Sequence, residues 1–327
     1  MTKPDICNPL LSALLNANSI LLCTHISPDG DAIGSTLAMG MGLKSLGKQV
    51  TMACADPVPE KYCFLPHAGE FVTPDRLEGK TFDAAMNLDS AEMYLIGDCA
   101  KAYSAAPVRL QIDHHPDNPR YAQINWVDGT MSAAGVLVFY ALKAMGAPID
   151  KDMAACIYCA LSTDTGNFRF TNTNAQAFQV MAELMETGFD LGDAARRLHS
   201  LKEKPHLKLL GRALTELQFF CAGRCAGMAL TQADYQFAGA GPEHRENIVN
   251  YAMDIPGVEI AYLADEREDG TVKVSLRSLS PWDVSFIARK FGGGGHARAA
   301  AFSREGRLDE IIPALRMVIE AAMEGNQ

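Results

Sequence analysis

One short stretch near the start of the chain limits how the first half can fold. The apolar run at residues 19–24 is followed at once by the polar octapeptide HISPDGDA at residues 25–32. A short aliphatic run that ends at proline and glycine predicts a buried strand, then a tight loop, and then a helix that begins near Ala32. The loop therefore lies at the carboxyl end of a strand, which is where open α/β sheets bind their ligands.

Three side chains of this loop are able to ligate a metal ion. They are His25, Asp29 and Asp31, and their close spacing produces charge repulsion unless a cation or a hydrogen-bond network compensates it. Aspartate is also common in turns and at helix N-termini. From this stretch alone, an Asx turn with a helix cap and no chemistry is an equal alternative.

Strands and helices are predicted to alternate through the rest of the first half. The predicted strands are residues 48–53, 82–88 and 108–112, and the predicted helices are residues 33–46, 131–145, 153–162 and 174–185. This alternation is typical of an α/β fold with a mostly parallel sheet and helices on both faces. Aspartate or histidine follows three of these elements, at Asp89, at Asp113-His114-His115 and at Asp164. Each alone is typical of a cap or a turn, but together with the first loop they predict one site at one edge of the sheet.

The second part of the chain follows a charged segment at residues 189–205, which we interpret as a linker. Its predicted strands are residues 226–231, 258–264 and 272–277, the last two paired, and its predicted helices are residues 245–253, 283–291 and 308–323. Four glycines at residues 292–295 precede His296. Glycines allow backbone N–H groups to approach a phosphate closely, and Arg277 adds charged donors. The alternative is that the glycine run is a flexible hinge and that Arg277 is a solvated strand residue.

Charge and cysteine usage exclude some classes of function. The net charge of -10 argues against a protein that binds long nucleic acid through a broad basic surface, but it leaves a short phosphate substrate open. Most of the nine cysteines lie in apolar runs, and the pairs Cys156/Cys159 and Cys221/Cys225 are predicted to be core or surface thiols. With no apolar run of membrane-spanning length, the expectation is a soluble cytoplasmic protein.

The motifs HISPDGDA, NLD, DHH and STDTGNF, followed by LRS and GGGGH, resemble the DHH phosphoesterase superfamily with a C-terminal DHHA1 domain. The similarity is greatest to its nano-RNase and pAp phosphatase branch, and it covers nearly the whole chain. It implies a DHH catalytic domain at residues 1–188, a linker at 189–205, a smaller α/β DHHA1 domain at 206–327, and an active-site cleft between the two domains. In one departure, the usual Ala-Ala-Gly after the glycine loop is Ala299-Ala300-Ala301 here, and the sequence leaves open whether Ala301 changes the local backbone.

The resemblance also implies a role for each motif residue. Its implied metal ligands are His25 and Asp29 for one ion, Asp31, His114 and Asp164 for the other, and Asp89 as the bridge between them. His115 is expected beside the phosphate, with Asp113 orienting a histidine ring. The implied substrate-binding residues are Arg277, Ser278, Gly293, Gly294, Gly295 and His296. Four carboxylates with two imidazoles favour two Mn²⁺ ions as cofactors, with Mg²⁺ as the alternative.

The activity that this resemblance implies is a manganese-dependent hydrolysis of very short oligoribonucleotides to 5′-mononucleotides, together with dephosphorylation of pAp to AMP. The partners are then short single-stranded RNA or dinucleotides and pAp, with no membrane partner. Hydrolysis of cyclic dinucleotides or their linear products, or of pyrophosphate, is an alternative within the same chemistry. Two alternatives of other classes are a catalytically silent nucleotide-binding regulator and a processive exonuclease on long single strands. The sequence leaves the direction of attack, the length preference and the oligomeric state open, a homodimer included.

Overall fold

The computed structural model describes residues 5–324. The chain divides into two compact units, Met1–Leu201 and Lys202–Gln327. The boundary between them falls within the predicted linker of residues 189–205, of which residues 191–200 are helical. None of the helices in the described part of the chain is both long and apolar enough to cross a bilayer.

The first unit is built on a five-stranded sheet in which every pair of neighbouring strands is parallel. Its strands are β1 Ser19–Cys23, β2 Gln49–Ala53, β3 Ala84–Leu88, β4 Val108–Asp113 and β5 Ile124–Val127. Their order across the sheet is β2-β1-β3-β4-β5. The parallel sheet confirms the predicted α/β class, and all strands except β5 were predicted. Because the strands run the same way, their carboxyl ends all meet at one edge.

The described part of the first unit, residues 5–201, contains seven α-helices besides short 3₁₀ helices. They are α1 Asn8–Asn16, α2 Gly30–Ser45, α3 Ala100–Ala105, α4 Ala134–Met145, α5 Lys151–Asp164, α6 Ala175–Glu186 and α7 Leu191–Ala195, which leads into a π-helical turn at Arg196–Ser200. Helix α2 is buried along nearly its whole length. At Gly34 its backbone packs directly against the backbone of α5. A Cβ atom on Gly34 would lie 2.3 Å from the carbonyl oxygen of Cys156. The start of α2 and the end of α5 are therefore fixed relative to each other by backbone packing.

The second unit contains a six-stranded mixed sheet of order β10-β11-β9-β8-β7-β6. Its strands are β6 Gln218–Phe220, β7 Cys225–Leu230, β8 Ile260–Glu266, β9 Thr271–Ser278, β10 Gly294–His296 and β11 Ala299–Glu305, and its helices are α8 Lys204–Thr215, α9 Gln232–Ala238, α10 Ile248–Met253, α11 Val284–Lys290 and α12 Leu308–Glu324. Strands β7 and β8 are parallel, and the other neighbours are antiparallel. The antiparallel pairing of β8 with β9 confirms the predicted strand pair.

The glycine run forms one arm of a β-hairpin with β11. Strand β10 pairs with β11 so that Gly294 faces Ala301 and His296 faces Ala299. A Cβ on Gly293 would lie 2.2 Å from the carbonyl oxygen of Ala301, and Gly295 has a φ of 136°, which strains other residues. Close packing against β11 therefore requires glycine at positions 293 and 295, which argues against the hinge alternative.

Candidate metal centre

The predicted donors of the first unit do converge on the carboxyl edge of its sheet. His25 follows β1, Asp89 follows β3, His114 follows β4, and Asp164 is the last residue of α5. Three groups of three side chains each place one ligand atom per residue within 4.8 Å of the others. The first group is His25, Asp29 and Asp89, and the second is Asp31, His114 and Asp164. The third group, Asp89, His114 and His115, overlaps both.

Asp89 connects the first two groups. In the first, His25 Nε2 lies 3.8 Å from Asp29 Oδ1 and 3.8 Å from Asp89 Oδ2. In the second, His114 Nε2 lies 3.2 Å from Asp164 Oδ2 and 3.7 Å from Asp31 Oδ2. The other oxygen of Asp89, Oδ1, is 3.5 Å from His114 Nε2. One carboxylate thus faces both groups with different oxygens.

Asp29 also caps helix α2. Its Oδ1 accepts hydrogen bonds from the backbone N–H groups of Asp31 and Ala32, both at 3.0 Å. The helix cap of the alternative is therefore present at this side chain. The cap uses Oδ1, which is also the oxygen 3.8 Å from His25 Nε2, and it leaves Oδ2 as a further acceptor.

Asp31 is fully buried and held by the start of helix α4. Its two oxygens accept from the backbone N–H groups of Ala134 at 2.6 Å and Gly135 at 2.9 Å, and Ser35 Oγ donates to it at 2.7 Å. A Cβ on Gly135 would lie 2.6 Å from the Cβ of Ala160. The small residue lets α4 approach closely enough to orient the carboxylate.

A polar clamp that the sequence analysis did not identify holds the Asp89 turn. Asp89 has a left-handed backbone with φ of 55°, an uncommon conformation for a residue other than glycine. The next carbonyl, of Ser90, accepts from Gln111 Nε2 at 2.9 Å, from Tyr121 Oη at 3.2 Å and from Asn118 Nδ2 at 3.3 Å. Three donors on one carbonyl fix the direction in which Asp89 points.

The carboxylate charges of the site are only partly balanced by the histidines that face them. Burial raises the pKa of Asp89 well above its usual range, and the neighbouring carboxylates of Asp31, Asp29 and Asp164 raise it further. Burial and the Asp31 charge likewise raise the pKa of Asp164 to about 8. Asp89 Oδ1 is buried and receives no hydrogen bond from the described residues. Buried polar atoms normally have a partner, and a cation between the two groups would supply it.

His115, which belongs to the third group, also pairs with Asp113. Asp113 Oδ1 lies 2.8 Å from His115 Nδ1, and Asn118 donates to the other oxygen of Asp113. The hydrogen bond to Asp113 raises the pKa of His115, whose ring is 41% exposed. The pair therefore presents, at the edge of the site, an imidazole whose protonated form Asp113 favours.

The predicted substrate residues of the second unit lie on and beside its hairpin. Arg277 pairs with Ala299, which pairs with His296, so Arg277 and His296 share one face of the sheet. Ser278 differs from them because it is buried and its hydroxyl donates to the carbonyl of Trp282 at 2.7 Å. The hydroxyl hydrogen of Ser278 is therefore already used in a hydrogen bond within the protein.

Comparison with known proteins identifies the family. The model of the DHH family N-terminal domain matches residues 19–161, and that of the DHHA1 domain matches residues 232–321. The bifunctional oligoribonuclease and PAP phosphatase NrnA of Thermus thermophilus is 34% identical over 308 residues, 93% of this chain and 89% of that protein. The chain belongs to the DHH family.

Two further relatives agree with this membership. NrnA of Bacillus subtilis, also named a bifunctional oligoribonuclease and PAP phosphatase, is 25% identical over 296 residues, 88% of this chain and 89% of that protein. The crystal structure of an exopolyphosphatase-related protein from Bacteroides fragilis superposes with a TM-score of 0.86 at 26% identity, covering 98% of this chain and 95% of that one. The predicted branch of the DHH family is thus confirmed, and the chain is an enzyme of that family.

Proposed function

We propose that this DHH-family enzyme hydrolyses very short oligoribonucleotides to 5′-mononucleotides and removes the 3′-phosphate of pAp, with two divalent cations. The observation that carries the proposal is the pair of three-donor groups that Asp89 faces with different oxygens, as a member of the first and 3.5 Å from His114 of the second. The chain that holds them is 34% identical to a protein named for both activities.

The donor set fits two hard divalent cations. His25, Asp29 and Asp89 would hold one ion, and Asp31, His114 and Asp164 the other, with Asp89 shared. Carboxylate oxygens with one imidazole in each group suit Mn²⁺ better than Zn²⁺, and Mg²⁺ is the alternative. Bound cations would supply positive charge to the phosphoryl oxygens and would make an attacking water more acidic.

The protein's own groups position the substrate and hold a proton. Asp113 keeps the His115 ring in one orientation by the 2.8 Å hydrogen bond and favours its protonated form. A protonated His115 donates to a phosphoryl oxygen from the exposed side of the ring. The three hydrogen bonds to the Ser90 carbonyl keep the Asp89 carboxylate facing both donor groups during hydrolysis.

The second unit is proposed to bind the nucleotide. Arg277 supplies a guanidinium, His296 an exposed ring, and the hairpin backbone its N–H groups. Of the predicted set, Ser278 contributes by holding the neighbouring loop, because its hydroxyl already donates to Trp282.

Changing His296 or Arg277 to alanine should affect binding more than chemistry. We expect the KM for a dinucleotide and for pAp to rise about tenfold or more, the usual cost of losing a charge-assisted hydrogen bond. Hydrolysis of bis-p-nitrophenyl phosphate, a small activated diester, should be nearly unchanged. Equal losses on both substrates would instead mean that these residues support the fold or the metals.

The activity itself is tested on the purified, metal-depleted chain. After Mn²⁺, Mg²⁺ or Zn²⁺ is added back, a dinucleotide, a 24-mer, pAp and a cyclic dinucleotide are supplied as substrates and the products are separated by chromatography. We expect rapid release of 5′-mononucleotides from the dinucleotide and of AMP from pAp, fastest with Mn²⁺, and slow turnover of the 24-mer.

Two outcomes would contradict the proposal. Full activity after exhaustive chelation, with metal content checked by elemental analysis, would exclude the two-cation reaction. A strong preference for the cyclic dinucleotide over its linear counterpart would favour the alternative substrate class.

A further inference from the structure

The first donor group, His25 with Asp29 and Asp89, depends on the conformation of the loop that follows β1. Two residues of this loop, Ile26 and Ser27, are exposed. Ser27 has a left-handed backbone with φ of 50°, an uncommon conformation for a residue other than glycine. Backbones of this kind persist only where their surroundings determine them, and they cluster at functional sites. Specific contacts must therefore hold the loop in this conformation.

The peptide group between Ile26 and Ser27 is held at both of its polar ends. Its N–H, on Ser27, donates to Asp56 Oδ2 at 2.6 Å. Its carbonyl oxygen, on Ile26, lies 2.7 Å from Nδ1 of the His25 ring. Because a peptide group is planar and rigid, the direction of its N–H fixes the direction of its carbonyl. The Asp56 carboxylate therefore sets the direction of the carbonyl that meets the His25 ring.

The hydrogen bond to the Ile26 carbonyl decides which nitrogen of His25 is available to a cation. A carbonyl oxygen only accepts, so in the neutral ring Nδ1 carries the proton and Nε2 keeps its lone pair. Nε2 is the atom that lies 3.8 Å from Asp29 Oδ1 and 3.8 Å from Asp89 Oδ2. Metal-bound histidines commonly donate their other N–H to a carbonyl or a carboxylate, which fixes the tautomer and the orientation of the ring. The His25 ring is thus oriented for ligation by a peptide group that Asp56 holds.

Two further contacts hold the preceding peptide group, between His25 and Ile26. The N–H of Ile26 donates to the carbonyl of Leu95 at 2.6 Å. The Cys54 thiol donates to the carbonyl of His25 at 3.3 Å. Since both contacts act on the His25–Ile26 peptide, the orientation of the next peptide depends on Asp56.

The first two donor groups differ in how far the packing of the fold fixes them. Asp31, in the second group, is fully buried and accepts from two N–H groups at the start of α4. Asp164, in the same group, ends α5, whose backbone packs on that of α2. The His25 side chain is 19% exposed, and its ring is held by one peptide group of a surface loop. Loss of Asp56 should therefore weaken the first group and leave the second nearly unchanged.

We propose that Asp56 is a positioning residue for the cation of the first donor group and that it acts on His25 through the Ile26–Ser27 peptide. This role rests on the function proposed above, because it concerns one of the two cations of that reaction. Asp56 is not a member of the donor groups. Its carboxylate, the peptide and the imidazole form a chain of hydrogen bonds that ends at Nε2. Each bond of such a chain polarises the next, which makes Nε2 a stronger ligand.

Calorimetric titration of Mn²⁺ into the full, metal-depleted chain tests this role without hydrolysis. We expect two bound ions in the wild-type chain. In Asp56→Ala, the affinity for one of them should fall about tenfold or more, the usual effect of losing a group that orients a ligand. Asp56→Asn keeps an oxygen that accepts from the Ser27 N–H, and it should retain most of the affinity. Asp83→Ala is the matched control and should bind both ions as the wild type does, because Asp83 accepts from the N–H groups of Asn18 and Ser19 at the other end of β1.

A double-mutant cycle shows whether Asp56 acts through His25. His25→Ala should still bind the first ion weakly, at millimolar Mn²⁺, through Asp29 and Asp89. Because no ring is left to orient, adding Asp56→Ala to this variant should weaken binding no further. An equal loss of affinity from Asp56→Ala with and without His25 would overturn the role, since the carboxylate would then act by its charge alone.

Two other results of the titration have different meanings. Wild-type affinity for both ions in Asp56→Ala would overturn the role of Asp56 and leave the two-cation reaction intact. Fewer than two bound ions in the wild-type chain would contradict the two-cation reaction itself, and the role of Asp56 with it.

Kinetics separate positioning from a direct part in the reaction. At saturating Mn²⁺, the kcat of Asp56→Ala on a dinucleotide should be close to that of the wild type. The Mn²⁺ concentration that gives half of this rate should rise about tenfold or more, in step with the lost affinity. A kcat that stays low when both ions are bound would contradict the proposal, because Asp56 would then serve the reaction in another way.

Discussion

Asp89→Asn is expected to lower turnover about a thousandfold or more and at the same time to stabilise the metal-free protein. Asparagine keeps the shape of the side chain and tolerates the left-handed backbone of this turn. It removes the charge that both donor groups share, and a cation's charge stabilisation is worth several kcal/mol, or about three powers of ten in rate. It also removes a buried carboxylate that is repelled by Asp31, Asp29 and Asp164.

The readouts for this variant are kcat on a dinucleotide, the Mn²⁺ stoichiometry by titration calorimetry, and the melting temperature in chelator. Asp98→Asn is the matched control, because Asp98 is exposed and lies in the 3₁₀ helix Met93–Cys99, outside the donor groups. His115→Ala should lower kcat while retaining most of the bound metal. Wild-type Mn²⁺ stoichiometry in Asp89→Asn would show that Asp89 does not bridge two ions.

The metal-free protein is expected to lose stability as the pH rises from about 4 to 8, and Mn²⁺ should reverse this trend. The folded-state pKa of Asp164 is raised from 3.8 to about 8, and burial raises those of Asp31 and Asp89 in the same direction. The folded state then binds protons that the unfolded state has released, so the free energy of unfolding falls across this interval. The raised pKa values of His25 and His115 act in the same direction above pH 6.5.

Melting temperatures from pH 5 to 8 in chelator and in Mn²⁺ test this prediction. Each kcal/mol lost lowers the melting temperature by about 2–4 °C. Cations that replace the protons should stabilise the chain most at pH 8, and their binding near pH 6 should release protons into a weakly buffered solution. Asp164→Asn serves as the control, because it removes one of the titrating groups. A metal-free melting temperature that rises with pH would contradict the site's electrostatics.

Local patterns in the sequence predicted most of the strands and helices of the first unit. The aliphatic run before His25 predicted β1, and the helix after it begins at Gly30 rather than near Ala32 because Asp29 is the cap. Strand β5 was missed because it has only four residues at the sheet edge, of which only Trp126 is buried. Helix α9 was also missed, although Thr231 and Asp234 form a capping box that predicts its start.

The long-range hydrogen bonds that hold the site could not be predicted from local sequence patterns. The donors to the Ser90 carbonyl come from Gln111, Asn118 and Tyr121, between 21 and 31 residues away. Such side-chain to backbone bonds leave no periodicity in the sequence. The hairpin of the second unit was equally hidden, since glycine is disfavoured in strands and a run of four predicts a loop.

The order in which the donors occur along the chain has a consequence for protein synthesis. Ribosomes extend a chain from its N-terminus, and the sheet of the first unit is complete once β5 has emerged. Asp164, the last residue of α5, lies about 140 residues after His25 and is the last of the donors to be synthesised. A nascent or truncated chain that ends before α5 can therefore assemble only one of the two donor groups, so hydrolytic competence is delayed until the helix that packs on Gly34 is in place.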